Sequence, residues 1–143
     1  MSQQNVETVL AMTEAYNSLS PGDLDAWLVE FFDPEIEWHD VPALPGAGVY
    51  FGYDAFRRAC ERYLEAWAET STEIEEIRSV GDRVVARARY GGVGQESGAR
   101  VAGPVSGPTT GAVFEFRDGR ILRARQFVSY GEALEAVGLS EHD

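Results

Sequence analysis

The chain has 143 residues, 24 of them Asp or Glu against 12 Lys or Arg, for a net charge of −12. That length fits one domain over residues 1–143, large enough to bury about two thirds of its unfolded surface. The charge excludes a nucleic-acid partner, since phosphate backbones need clustered Lys and Arg, and it opposes binding to an anionic membrane.

Cys60 is the only cysteine, so no internal disulfide forms and a reducing, cytoplasmic setting is expected. The opening stretch MSQQNVETVL has neither the basic region nor the apolar run of a secretory leader. No segment approaches the ~18 apolar residues that cross a bilayer.

Val6, Val9, Leu10, Thr13 and Tyr16 recur at helical spacing over residues 5–18. Ser20-Pro21-Gly22-Asp23 breaks that helix and offers Asp23 as the N-cap of a second, about Leu24 to Phe32, which carries Trp27, Leu28, Phe31 and Phe32. Asp33-Pro34 stops it, because proline disfavours helix in the residue before it. A strand follows over Glu35 to Val41, then an irregular Pro/Gly-rich loop over Pro42 to Gly52. Asp54 is placed to cap a third helix, Ala55 to about Ala68, with an apolar stripe of Phe56, Ala59, Cys60, Tyr63, Leu64 and Trp67.

From residue 72 the period changes to two, giving strands over Thr72–Val80, Arg83–Tyr90, Arg100–Val105, Gly111–Phe116 and Ile121–Val128. Gly81-Asp82 and Asp118-Gly119 read as hairpin turns, and Gly91-Gly92-Val93-Gly94 as a flexible turn. The run from Gly98 to Gly111 suggests a bulged strand, and Gly131 to Leu139 a short helix ending at Gly138. Helices first and strands afterwards make an α+β domain: three helices over a curved antiparallel sheet, a cone with a pocket that the helices only partly cover.

The candidate chemistry sits at the end of the first strand. His39 and Asp40 are adjacent there, and imidazole titrates near neutrality. Strand side chains alternate, so only one of the two enters the pocket: His39 goes with Glu37, and Asp40 with Ile36 and Trp38. Burial of Ile36 and Trp38 favours Asp40. Adjacent strand residues cannot converge on one ion and no second His is near, so no metal is expected. The Gly91–Gly94 run lacks the Lys and following helix of a phosphate loop, and no Ser sits in a nucleophile elbow, so no cofactor is expected either. Trp27, Phe31, Trp38, Tyr63, Trp67, Phe114, Phe116 and Tyr130, with Gln126 among them, would line an apolar pocket with few polar anchors, the form of a site for a small hydrophobic molecule.

Four stretches, GDLDAWLVEFF, DPEIEWHD, GAGVYFGYDAFR and VFEFRDGRILRARQF, resemble the SnoaL-like branch of the nuclear-transport-factor-2-like superfamily, over about Asn5 to Leu139. The resemblance implies the helix-and-cone fold, a homodimer, and polyketide cyclase-like, isomerase or dehydratase chemistry or plain ligand binding, since fold alone does not decide function. A gapless match from Gly22 puts the base of the isomerase-like members at His39, which therefore receives slightly more weight than Asp40. It leaves Tyr16 one residue from the family's oxyanion tyrosine, Ala112 where a protonated Asp would stand, and Gln126 at the cyclases' acid position. Gln126 donates a hydrogen bond but transfers no proton. The expectation is therefore a pocket with His39 as its base or acid, Asp40 orienting groups nearby, and Tyr16 or Gln126 polarising a carbonyl. The Arg87, Arg89, Arg123 and Arg125 rows are expected to mark an open sheet face that pairs with a second copy.

Overall fold

The first helix, α1 (Ser2–Asn17), turns Val9, Met12 and Thr13 inward, while Leu10, about 100° further round, is left exposed. A computed structural model describes residues 2–41, 48–94, 100–102 and 109–139, with side chains except at 2, 21, 63, 65–71, 90–94, 100–102 and 109. Residues 42–47 of the predicted loop, most of the Gly98–Gly111 run and His142 lie outside the described residues. After a 3-10 turn at Pro21–Asp23 comes α2 (Leu24–Phe31). Asp23 stands at the N-cap without capping it. Its carboxylate accepts instead from Ser20 Oγ at 2.7 Å.

Phe32, expected as the last helical residue, already has extended backbone and opens β1 (Phe32–His39), so Pro34 lies inside the strand rather than before it. The reason is local. The pairing of β1 with β7 (Arg120–Phe127) jumps from Phe32–Ile121 to Glu37–Arg123, and the extra residues on β1 form an irregular stretch where proline's missing N–H leaves no gap in the ladder. Asp33 Oδ1 accepts from Glu35 N at 2.8 Å, and Arg117 clamps the stretch by donating to both Asp33 oxygens at 2.7 and 3.0 Å and to Glu35 at 2.9 Å.

β2 (Val49–Phe51) leads into α3 (Gly52–Ala66), which begins two residues before the expected cap Asp54 and ends before Trp67. β3 (Trp67–Val80) and β4 (Arg83–Gly94) are both longer than their side-chain pattern indicates, and the Gly91–Gly94 stretch is strand, not turn. Gly91 to Gly94 pair along β3, and Gly92 and Val93 also pair with β5 (Arg100–Ala102); backbone ladders form without side chains to announce them. β6 (Thr109–Arg117) joins β7 through Asp118 and Gly119, both at positive φ (53° and 81°), as a type I′ turn requires. The last helix is α4 (Tyr130–Ala136), capped by Ser129 accepting from Glu132 N.

The strands lie in the order β2-β1-β7-β6-β4-β3, with β5 beside β4. The β1–β7 pair is parallel and the others antiparallel, so the curved, unclosed sheet is mixed rather than all antiparallel. Helices α1 to α3 pack on the inner face against Phe32, Ile36, Val84, Ala86, Ala112, Phe114, Ile121 and Ala124. The outer face carries Val85 and Val113, covered by α4 through Tyr130, Ala133, Leu134 and Val137.

The seat of α4 depends on Gly111, where an added Cβ would come within 2.6 Å of Ser129 O and 2.7 Å of Ala133 Cβ. Gly111→Ala is expected to cost about 1–3 kcal/mol by urea unfolding, because the obstruction is backbone and packed helix rather than a movable side-chain end. The Arg117 hydrogen bond holds Asp33 below the usual carboxylate range. A lowered folded value means the contribution is present above the unfolded value and disappears as pH falls through the folded one. Asp33→Asn should therefore lose about 1–2 kcal/mol at neutral pH, a modest figure because Arg117 is half exposed, and the difference from wild type should shrink below about pH 4.

Candidate functional site

The parallel pairing sets Trp38 beside Ala124 and His39 beside Arg125, and alternation then sends neighbours to opposite faces. Trp38 turns inward and stacks on Phe56 of α3, ring centroids 4.8 Å apart and planes at 23°. Phe32 meets Phe56 edge-on at 5.2 Å, Trp27 lies 4.9 Å from Phe32, and Tyr16 lies 5.4 Å from Trp27. Trp27 Nε1 donates to the Met12 carbonyl at 3.2 Å, so the largest ring of the cluster carries no unmet donor.

Asp40 follows Trp38 to the inner side. Its Oδ1 accepts from Trp38 Nε1 at 3.2 Å, and its Oδ2 from the backbone N–H of Gly48 at 3.2 Å, while Asp40 N donates to Gly48 O at 3.0 Å. A half-buried carboxylate is thereby fixed at the open end of β1. Gln126, buried and opposite Ala112, takes the inner side of β7. Cys60 of α3 lies close enough to Asp40 to feel its charge. Burial first, then the negative charges of Asp40 and Glu61, pushes the Cys60 thiol up to about 12.

His39 turns to the outer face. Its Nε2 lies 2.6 Å from Glu37 Oε2, and Arg123 Nε lies 2.8 Å from the same oxygen. The His39 hydrogen bond, with the charge of Arg123, holds Glu37 below the usual carboxylate range. A concavity of about 330 Å³ opens at the joint end of β1, β2 and β7, lined by His39, Asp40, Gly48, Val49, Arg125, Gln126 and Phe127.

The structure thus gathers His39, Asp40 and Gln126 around one corner and draws Trp27, Phe31, Trp38, Phe114 and Phe116 into the inner core with Tyr16 at its margin. Tyr130 stands apart from them, across the sheet under α4, with the Arg87 guanidinium carbon 5.7 Å from its ring centre. The strand alternation on either side of β6 and β7 decides that separation. The side chains of Tyr63 and Trp67 lie outside the described residues. Sequence reasoning missed Phe56 as the stacking partner of Trp38, although its helical stripe signalled burial, and it missed Arg125 beside His39, which only the parallel pairing reveals. Among the described residues no three His, Cys, Asp or Glu side chains are placed to hold a metal ion.

A curved, unclosed mixed sheet with three helices over one face, a fourth on the other and polar groups at the open end has the nuclear-transport-factor-2-like α+β fold. Within that class, residues 9–124 match the SnoaL-like domain, and the chain belongs to that family. Among curated proteins nothing matches. Among solved structures, Bal32a from a soil-derived mobile gene cassette is 28% identical with a TM-score of 0.70, covering 87% of this chain and 88% of its own. A protein of Jannaschia sp. CCS1, named for SnoaL-like polyketide cyclases, is 22% identical with a TM-score of 0.69, covering 88% and 85%. TerC, co-crystallised with polyporic acid, is 17% identical with a TM-score of 0.68, covering 94% and 98%.

The geometry around Cys60 has a direct consequence. In the folded protein at pH 8 the thiol should resist alkylation by iodoacetamide, and in urea it should react at the rate of an ordinary cysteine. Rapid labelling of the folded protein would show that the thiol is not buried as described.

Proposed function

We propose that the chain binds a small hydrophobic molecule, aromatic or polycyclic and polyketide-like, on the helix-covered side of its sheet, and acts on it by acid-base chemistry of the cyclase, isomerase or dehydratase kind. The observation that carries this reading is the Asp40–Trp38 hydrogen bond, which holds a carboxylate on the inner side at the open end of an aromatic wall. Gln126 supplies an amide on the same side of the neighbouring strand, suited to donate to a carbonyl oxygen as charge develops there. Tyr16 contributes ring surface at the far margin of the same cluster.

Asp40 takes the role of proton acceptor here in preference to His39, because His39 is turned to the other face and paired with Glu37. Support for the substrate class comes from the apolar inner wall and from relatives of the same fold, one named for polyketide cyclases and one crystallised with polyporic acid. On the same reading the protein works in the cytoplasm, where its lone Cys60 stays reduced, and as a homodimer, which the family resemblance implies. The alternative within the fold is a binding protein that uses the same wall without turnover.

The test is proton exchange at the activated carbon of an aromatic β-keto ester in D2O, followed by NMR, beside quenching of tryptophan fluorescence by hydroxylated naphthoquinones. Asp40→Asn should slow exchange by about 10²-fold or more while quinone affinity stays within about threefold. His39→Ala should leave exchange within about threefold. Exchange lost in His39→Ala and kept in Asp40→Asn would return the base to His39. Quinone binding with no catalysed exchange would leave the binding-protein alternative.

A further inference from the structure

The outer face at the same end of the sheet carries groups that the inner-side chemistry leaves unused. On this face Arg87 and Arg89 reach Glu75 at 3.5 and 2.9 Å, and Arg123 reaches Glu37 at 2.8 Å. Arg125 lies in register with His39 on one side and Val113 on the other, and no carboxylate among the described residues forms an ion pair with it. Its Nε, like those of Arg87 and Arg123, is buried with no hydrogen-bond partner among the described residues.

What surrounds Arg125 limits what can meet it. Phe127 lies beside it, ring centre 5.7 Å from the guanidinium carbon, and Val49, 46% exposed, stands across His39 from it on β2. The concavity of about 330 Å³ between them is at the lower end of small-molecule sites. A guanidinium fork matches one carboxylate bidentately. A second negative charge would face Asp40 in the same concavity, Glu37 behind His39 and the chain's net charge of −12, which disfavours phosphates and dicarboxylates.

We propose that this outer shelf is a binding site for a small monocarboxylate with a flat apolar body, its carboxylate on Arg125 and its body against Phe127 and Val49 beside His39. The same concavity is also lined by Asp40 and Gln126, so a ligand held on Arg125 borders the groups assigned to the inner-side chemistry and would accompany or compete with its substrate.

Titration of the full chain with 2-naphthoate, by calorimetry, should give saturable one-to-one binding with Kd about 1 mM or tighter. Arg125→Gln should weaken it by about tenfold or more, Val49→Ser by a few-fold, and the neutral 2-naphthalenemethanol should bind at least about tenfold more weakly than naphthoate. Val49 is an exposed residue on a short strand, so that variant keeps the test open if Arg125→Gln fails to fold. Affinity unchanged in both variants would put the naphthoate elsewhere and overturn the proposal, as would equal binding of the alcohol. Absence of naphthoate binding, together with a dimer by sedimentation that Arg125→Gln dissociates, would also overturn it and show that the partner of Arg125 is a carboxylate of a second copy.

Discussion

The structure depends on how β1 lies against β7. The two strands run parallel, one strand in from the β2 edge, and the irregular stretch at the start of β1, clamped by Arg117 through Asp33 and Glu35, brings Glu37, Trp38 and His39 into register with Arg123, Ala124 and Arg125. Every later assignment of a side chain to a face follows from that register, because a slip of one residue would exchange the two faces outright. Trp38 inward and His39 outward are one decision.

The inner side then organises itself by burial. Trp38 on Phe56, and Phe32 between Phe56 and Trp27, link β1 to α2 and α3 through aromatic contacts worth about 0.5–1.5 kcal/mol each beyond their buried area. Trp38 leaves one polar atom, its indole N–H, and Asp40 satisfies it. The same carboxylate holds Gly48, so the strand end and the start of β2 are tied to the aromatic wall by one side chain. Two donors thereby orient this carboxylate without the approach of a ligand.

The outer side is organised by charge. Arg87, Arg89 and Arg123 alternate with Glu75, Glu76, Glu37 and Glu115 across neighbouring strands, and half-exposed pairs of this kind are individually worth little. They account for the basic rows that the sequence shows in β4 and β7 without requiring an acidic partner for all of them. His39 belongs to this lattice through Glu37.

The sequence alone determined the class of fold, the helices before the strands, the turn at Asp118-Gly119 and the end of β1 as the place where ionisable groups collect, because periodicity, glycine geometry and proline rules act over a few neighbouring residues. Alternation also placed Asp40 on the side of Ile36 and Trp38, where the Trp38 indole N–H donates to it. It could not show that β1 pairs in parallel with β7, that Pro34 sits within a strand, that Gly91 to Gly94 continue β4, or that Tyr130 lies across the sheet from the other aromatics. Those depend on backbone hydrogen bonds between distant segments and on which face a whole strand presents. Only the assembled sheet sets these, because only there does each strand meet the neighbour that fixes its register.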